Sequence, residues 1–175
     1  MMRMLGWMAG FLCVAMAGVA DAKAASIEVM EHACAREIVN RQPVGIVDCR
    51  SFTLPSPAYV WVRLKGDAEA LAELEAGRPI IIRHKWLRFA GPNPDVDTQT
   101  ADEDLSAGQI DPAYFQRLRQ EVRNRGYFDW RTWTQQDNLR STAYTVDVLD
   151  QTLQPVPCSP GPAQQNCSVS IIVGE

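Results

Sequence analysis

Residues 79–89 read Pro-Ile-Ile-Ile-Arg-His-Lys-Trp-Leu-Arg-Phe. Ile80, Ile82, His84 and Trp86 fall on one side of an extended chain, and Arg83, Lys85 and Leu87 on the other. Alternation of period two marks a strand of a sheet with one covered face. The same pattern spreads outward. Tyr59 to Leu64 (YVWVRL) alternates large residues, and Ala143 to Asp150 sets Tyr144, Val146 and Val148 inward, with Thr145, Asp147 and Leu149 outward. Cys167, Val169, Ile171 and Val173 form the inner row of a final strand. Asp150-Gln151-Thr152 supplies a turn between two late strands, predicting a hairpin over 149–156. Ile27 to Val39 is compatible with helix by its Ala and Glu content, and with strand by the alternation of Cys34, Arg36 and Ile38.

Two helices interrupt the strands. Asp67 can cap the run AEALAELEA, with Gly77 ending it. Asp111 caps a second helix with Pro112 in its first turn, an apolar stripe of Phe115, Leu118 and Val122, and Gly126 as its stop. Between Gly91 and Asp111 the chain is polar, acidic and without clear period, which predicts a mobile loop. The sum is a mostly β chain: an antiparallel, immunoglobulin-like β-sandwich of about seven strands with two inserted helices. Residues 23–175 form one domain on this reading, and residues 91–126 an insert of acidic loop plus helix.

The first residues define the compartment. Arg3 precedes an apolar run from Leu5 to Ala20, and Ala20-Asp21-Ala22 ends in the small residues a signal peptidase reads. Residues 1–22 therefore read as a signal peptide, cleaved rather than kept as an anchor. After cleavage no apolar stretch approaches the roughly 20 residues of a spanning helix. The mature chain is expected in the periplasm or outside the cell, where thiols pair. Cys34, Cys49, Cys158 and Cys167 allow three connectivities, and the two local ones, Cys34–Cys49 and Cys158–Cys167, each close a short loop rich in turn residues. A formal charge of −4 argues against nucleic acid or an anionic membrane as partner.

An ordered set of short motifs runs through residues 33 to 156: Asn40-Arg41-Gln42-Pro43, Tyr59-Val60-Trp61, His84-Lys85-Trp86, Trp130-Arg131-Thr132-Trp133-Thr134 and Tyr144-Thr145-Val146-Asp147-Val148. The set resembles a bacterial family of exported and membrane-tethered domains of unknown function. The resemblance implies an exported β-sandwich and carries no activity over. The chain departs from that pattern in the 91–126 insert, in Thr142-Ala143-Tyr144 where a Gly-Trp step is usual, and in its two cysteine pairs.

Candidate sites divide by chemistry. His84 sits between Ile82 and Trp86 on an inward face, where a core histidine is expected in preference to a general base needing a carboxylate within about 2.6–3.2 Å. Asp95, Asp97, Asp102, Glu103 and Asp104 lack the spacing of a calcium loop, since Thr100 stands at the glycine position and Ser106 at the closing acid. No metal and no cofactor is implied. Trp130 and Trp133, three apart, point to opposite faces of a strand, one core and one rim. Trp133, with Arg131 able to hold an anion, is thus a binding candidate. Arg117, Arg119 and Arg123 on the second helix form a basic strip with Arg125, expected to meet either an acidic partner or, in preference, the acidic loop upstream.

The function these features point to is a non-enzymatic binding or assembly module of the bacterial envelope. Its expected contact with a partner protein is the 91–126 insert. Carbohydrate or peptidoglycan binding through Trp133 is the alternative, with inhibition of a secreted enzyme next and a hydrolase using His84 last.

Overall fold

The structure, a computed structural model, describes residues 25–53, 57–89, 94–95, 100–105, 111–137, 139–159 and 167–174. The expected signal peptide, residues 1–22, lies outside the described residues, as do Asp97 and the side chains of Asp95, Asp102, Glu103 and Asp104. Ten strands and two helices follow one another: β1 (Ile27–Val39), β2 (Gln42–Val47), β3 (Phe52–Thr53), β4 (Ala58–Asp67), α1 (Ala68–Glu75), β5 (Ile80–Phe89), β6 (Pro94–Asp95), β7 (Thr100–Leu105), α2 (Pro112–Arg125), β8 (Tyr127–Gln136), β9 (Ala143–Leu149) and β10 (Ser168–Gly174). They build two sheets, β2-β1-β4-β8 and β3-β10-β9-β5-β6, with β7 also paired to β5. Pairings are antiparallel apart from the short parallel match of β3 with β10 and one isolated bridge of Val29 to Cys158.

The inner rows are those that period two predicts. Val60, Val62 and Leu64 of β4 face a core shared with Ile82 and Trp86 of β5, Tyr144, Val146 and Val148 of β9, and Val169, Ile171 and Val173 of β10. Each such side chain removed from water contributes roughly 1.5–3 kcal/mol. Leu149, expected outside, is also buried. One buried hydrogen bond spans the sandwich: Trp86 Nε1 donates to Thr134 Oγ1 at 3.1 Å, joining the two sheets. The Trp86 ring also meets Tyr144 edge-on at 6.1 Å. The ambiguous segment 27–39 is strand throughout. Its register against β4, from Ile27–Gly66 to Ala35–Tyr59, decides the matter, since pairing on both sides outweighs helix propensity.

Both helices have the caps their sequences announce. Asp67 Oδ1 accepts from Ala70 N at 2.9 Å, and Asp111 Oδ1 from Ala113 N at 2.8 Å. Gly126 ends α2 at φ 80, a left-handed conformation that glycine takes without a Cβ penalty. The disulfides are Cys34–Cys49 and Cys158–Cys167, the two local pairings. They place the chain in an oxidising, non-cytoplasmic setting. No helix among the described residues is long and apolar enough to cross a membrane.

Two expectations need correction. The acidic stretch is not simply a loop: β6 and β7 lie antiparallel on β5, with Asp102 opposite Arg83 and Thr100 opposite Lys85 in register. An edge strand tolerates charges that a central strand would exclude, so weak β propensity did not prevent pairing. The expected late hairpin is only partial. Asp150 Oδ1 accepts from Thr152 N and Gln154 N and turns the chain, but the return forms only isolated bridges. It then crosses to the other sheet, where Val29 N donates to Pro157 O at 2.8 Å and Ser159 N to Val29 O at 2.7 Å.

Candidate functional site

On the outer side of the β2-β1-β4-β8 sheet, three pieces converge on one cleft. The first is the β1–β2 turn. Val39 pairs with Gln42, so Asn40 and Arg41 are the two turn residues, at φ 50 and 62. Positive φ at both central positions is the geometry that matches the twist of a two-residue hairpin. The turn folds over the sheet face: Trp61 Nε1 donates to Arg41 O at 3.0 Å, and Arg41 Nη2 donates to Arg131 O at 2.7 Å. The Arg41 guanidinium lies 5.5 Å from the centre of the Trp133 ring. With its amide oxygen turned toward Arg131, Gln42 accepts from Arg131 Nε at 3.2 Å and Nη1 at 3.1 Å.

The second piece is the outer row of β8, which carries Asp129, Arg131 and Trp133. Trp130 is buried and Trp133 half-buried, the division that their spacing predicts. The third is α2. Leu118 is fully buried and anchors the helix, while Glu121 Oε2 accepts from Asp129 N at 3.1 Å, so α2 covers part of the open edge of β8. The resulting cleft, about 120 Å3, is lined by Arg41, Tyr114, Arg117, Glu121, Asp129 and Arg131.

Its electrostatics are uneven. Arg125 pairs with Glu121 at 3.0 Å and with Asp129 at 3.3 Å, so the two carboxylates share one guanidinium at the side of the cleft. Partial desolvation pulls Arg125 downward, but Asp129 and Glu121 together hold it above the usual arginine value. Arg117 stacks on Tyr114 at 4.4 Å and reaches Glu121 only at 3.8 Å. Arg41 and Arg131 have no carboxylate partner among the described residues, and Arg131 stands directly opposite Arg63 in the β4–β8 register.

The predicted site residues therefore separate. Arg117, Arg131 and Trp133 come together around one feature. Arg119 turns away and pairs with Glu75 of α1 at 2.7 Å, stacking on Phe115. Arg123 is exposed and makes no ion pair among the described residues. The acids found beside the strip among the described side chains are Glu75, Glu121 and Asp129, while those of the acidic segment expected to meet it lie outside the described side chains. Arg41, Gln42 and Tyr114 escaped sequence reading as site residues, although Arg41 and Gln42 lie in a motif already singled out. His84 is fully enclosed in the core. Among the described residues no three His, Cys, Asp or Glu side chains gather as for a metal. A second concavity, about 610 Å3 between Ile27, Ile80, Ile82 and Val156 at one end of the sandwich, is lined by no predicted binding residue.

Comparison with known proteins adds little. No family model matches the sequence, and no curated protein matches it significantly. Among solved structures, a β-glucosidase from Listeria innocua in complex with gluconolactone superposes with a TM-score of 0.41 at 8% identity. The match covers 86% of this chain and 16% of that one.

Proposed function

We propose that the chain is an exported, non-enzymatic binding or assembly module of the bacterial envelope, which contacts a partner protein through the 91–126 insert. The observation that carries this reading is the position of α2. The helix is anchored by buried Leu118, yet it presents exposed Arg117 and Arg123 beside a cleft whose cations exceed its carboxylates. A rigid basic surface on a disulfide-stapled scaffold suits an acidic protein partner, because little ordering is needed on binding. The enclosure of His84 supports a non-catalytic role, since no substrate could reach that imidazole without opening the core. The motifs quoted for the family resemblance also support the reading. Arg41 of the first motif and Arg131 of the Trp130–Thr134 motif line this cleft, with Trp133 beside Arg41, so the resemblance and the surface overlap.

A glycan would use the face of Trp133, but Arg41 already lies over that ring. The test is capture from envelope extract with the parent chain, an Arg117→Gln/Arg123→Gln variant and Trp133→Ala. The partner-protein reading expects the arginine variant to lose a discrete protein that the parent retains. Loss on Trp133→Ala alone, with binding of isolated peptidoglycan, would replace that reading with the glycan one.

A further inference from the structure

We infer that the cleft between the β1–β2 turn, α2 and β8 is a carboxylate pocket, which receives an acidic side chain of the partner protein; this rests on the partner-binding reading and specifies its chemistry. Three arginines of the cleft are held mainly by neutral groups, which fixes them in place and leaves their charge to offer such a ligand. Arg41 holds φ 62 at a turn position where glycine or asparagine is the usual choice. Its guanidinium donates to Arg131 O and lies by the Trp133 ring, which fixes it at the cleft with no carboxylate to offset its charge among the described residues. Arg131 is set opposite Arg63; Arg63 has Glu31 at 3.5 Å, whereas Arg131 is met only by the neutral amide of Gln42 and by no carboxylate among the described residues. Arg117 leans on Tyr114 and stays 3.8 Å from Glu121, held in place by a ring more than by an acid.

The cleft's charge and size select the ligand class. Three arginines against two carboxylates leave a net charge of +1 in the lining. With Arg125 at its side the surplus rises to +2, so the cleft calls for an anion, and on a protein partner the anionic side chains to hand are carboxylates. A volume of about 120 Å3 admits one small planar group, whereas pockets for larger organic ligands run to about 300–1,000 Å3. Guanidinium groups present paired N–H donors that match a carboxylate's two oxygens, and Tyr114 forms part of the wall. Arg125 keeps Glu121 and Asp129 occupied, so they compete weakly for the other three cations.

The experiment follows the Trp133 indole N–H by NMR during titration with end-blocked tetraglutamate, with tetraglutamine and inorganic phosphate as comparison probes. The pocket predicts a saturable shift with tetraglutamate, none with tetraglutamine and a weaker one with phosphate. Arg41→Gly and Arg131→Gln should each weaken tetraglutamate binding about tenfold or more, and Arg140→Gln, an exposed change elsewhere, should not. Glycine takes φ 62 without strain, but Arg41→Gly also gives up the hydrogen bond to Arg131 O, so binding is compared at a temperature where the variant's own melting curve shows it fully folded. Equal weakening by Arg131→Gln and Arg140→Gln, stronger binding of phosphate, or no saturable shift would overturn the pocket. If the pocket fails while Arg117→Gln/Arg123→Gln still loses an envelope protein, the partner reading survives without it. If the peptide binds as described but no envelope protein is lost, that reading falls while the pocket stands.

Discussion

Gly66 on β4 is paired with Phe128 on β8, and the benzyl ring lies over the glycine. A Cβ built at position 66 would stand 2.3 Å from Phe128 Cζ, 2.6 Å from Cε1 and 3.0 Å from Cε2, well inside van der Waals contact. Phe128 is fully buried, so the ring has no solvent to swing into and the strands must part instead. Overpacking of this kind costs about 1–3 kcal/mol. The backbone at Gly66 is not in the left-handed region, so a strand alanine would otherwise be favoured over glycine by roughly 0.5–1 kcal/mol. The sign of the effect is therefore diagnostic. With a clash this close the cost falls in the upper part of the overpacking range, and net of the gain Gly66→Ala should lower the melting temperature by roughly 2–10 °C, at about 2–4 °C per kcal/mol for a domain of this size. In a Phe128→Leu background the same substitution should cost less than about 0.5 kcal/mol, since the ring it strikes is gone. Thermal and urea denaturation of the four proteins closes the cycle. A neutral or stabilising Gly66→Ala, or a cost undiminished in the Phe128→Leu background, would show that this pairing of β4 with β8 is wrong.

Other predictions test the core and its pH dependence. Thr134→Val removes the acceptor of Trp86 Nε1 and should cost about 1–3 kcal/mol; adding Trp86→Phe, which deletes the orphaned donor, should recover part of that loss in urea unfolding. Glu28 is held below the ordinary glutamate value of 4.5, first by its hydrogen bond to Lys65 and also by one to Ser159, which outweigh the opposing desolvation. Its contribution to stability is thus present above that value and lost as pH falls through the lowered folded one. The melting-temperature gap between the parent and Glu28→Gln should be widest at neutral pH and close in acid; a gap that widened in acid would reverse the assigned direction.

Much of this fold is legible because one physical signal dominates it. Ile82, Trp86, Val146, Val148, Val169 and Ile171 all point inward for the same reason, that a half-covered sheet sorts its residues with period two. Asp67, Asp111 and Gly126 announce helix ends because capping is local chemistry. The disulfides follow from loop closure between neighbouring turns. Legibility fails where structure depends on partners remote in sequence. Thr100–Leu105 carries three acids in six residues and resembles solvated chain; only β5, lying open at its side, makes it a strand. Arg41 reads as a turn residue, and its place beside Trp133 and Arg131 depends on a hairpin folding across a sheet face. The basic strip was legible as charge, but its division into a cleft lined by Arg117, an ion pair of Arg119 with Glu75, and exposed Arg123 was not. A helical pattern alone does not say which neighbours each position meets.

Docking of a partner protein where α2, the Arg41 turn and β8 converge can be probed in living cells by site-specific photo-crosslinking. One crosslinking residue goes at exposed Ala113, beside the cleft, and a second, in a separate protein, at exposed Ile46 on the edge strand β2. Position 113 should yield one discrete protein adduct that disappears when Arg131→Gln is added, and position 46 should yield none. An adduct from position 46 alone, or one from position 113 indifferent to Arg131, would rule out docking at the cleft.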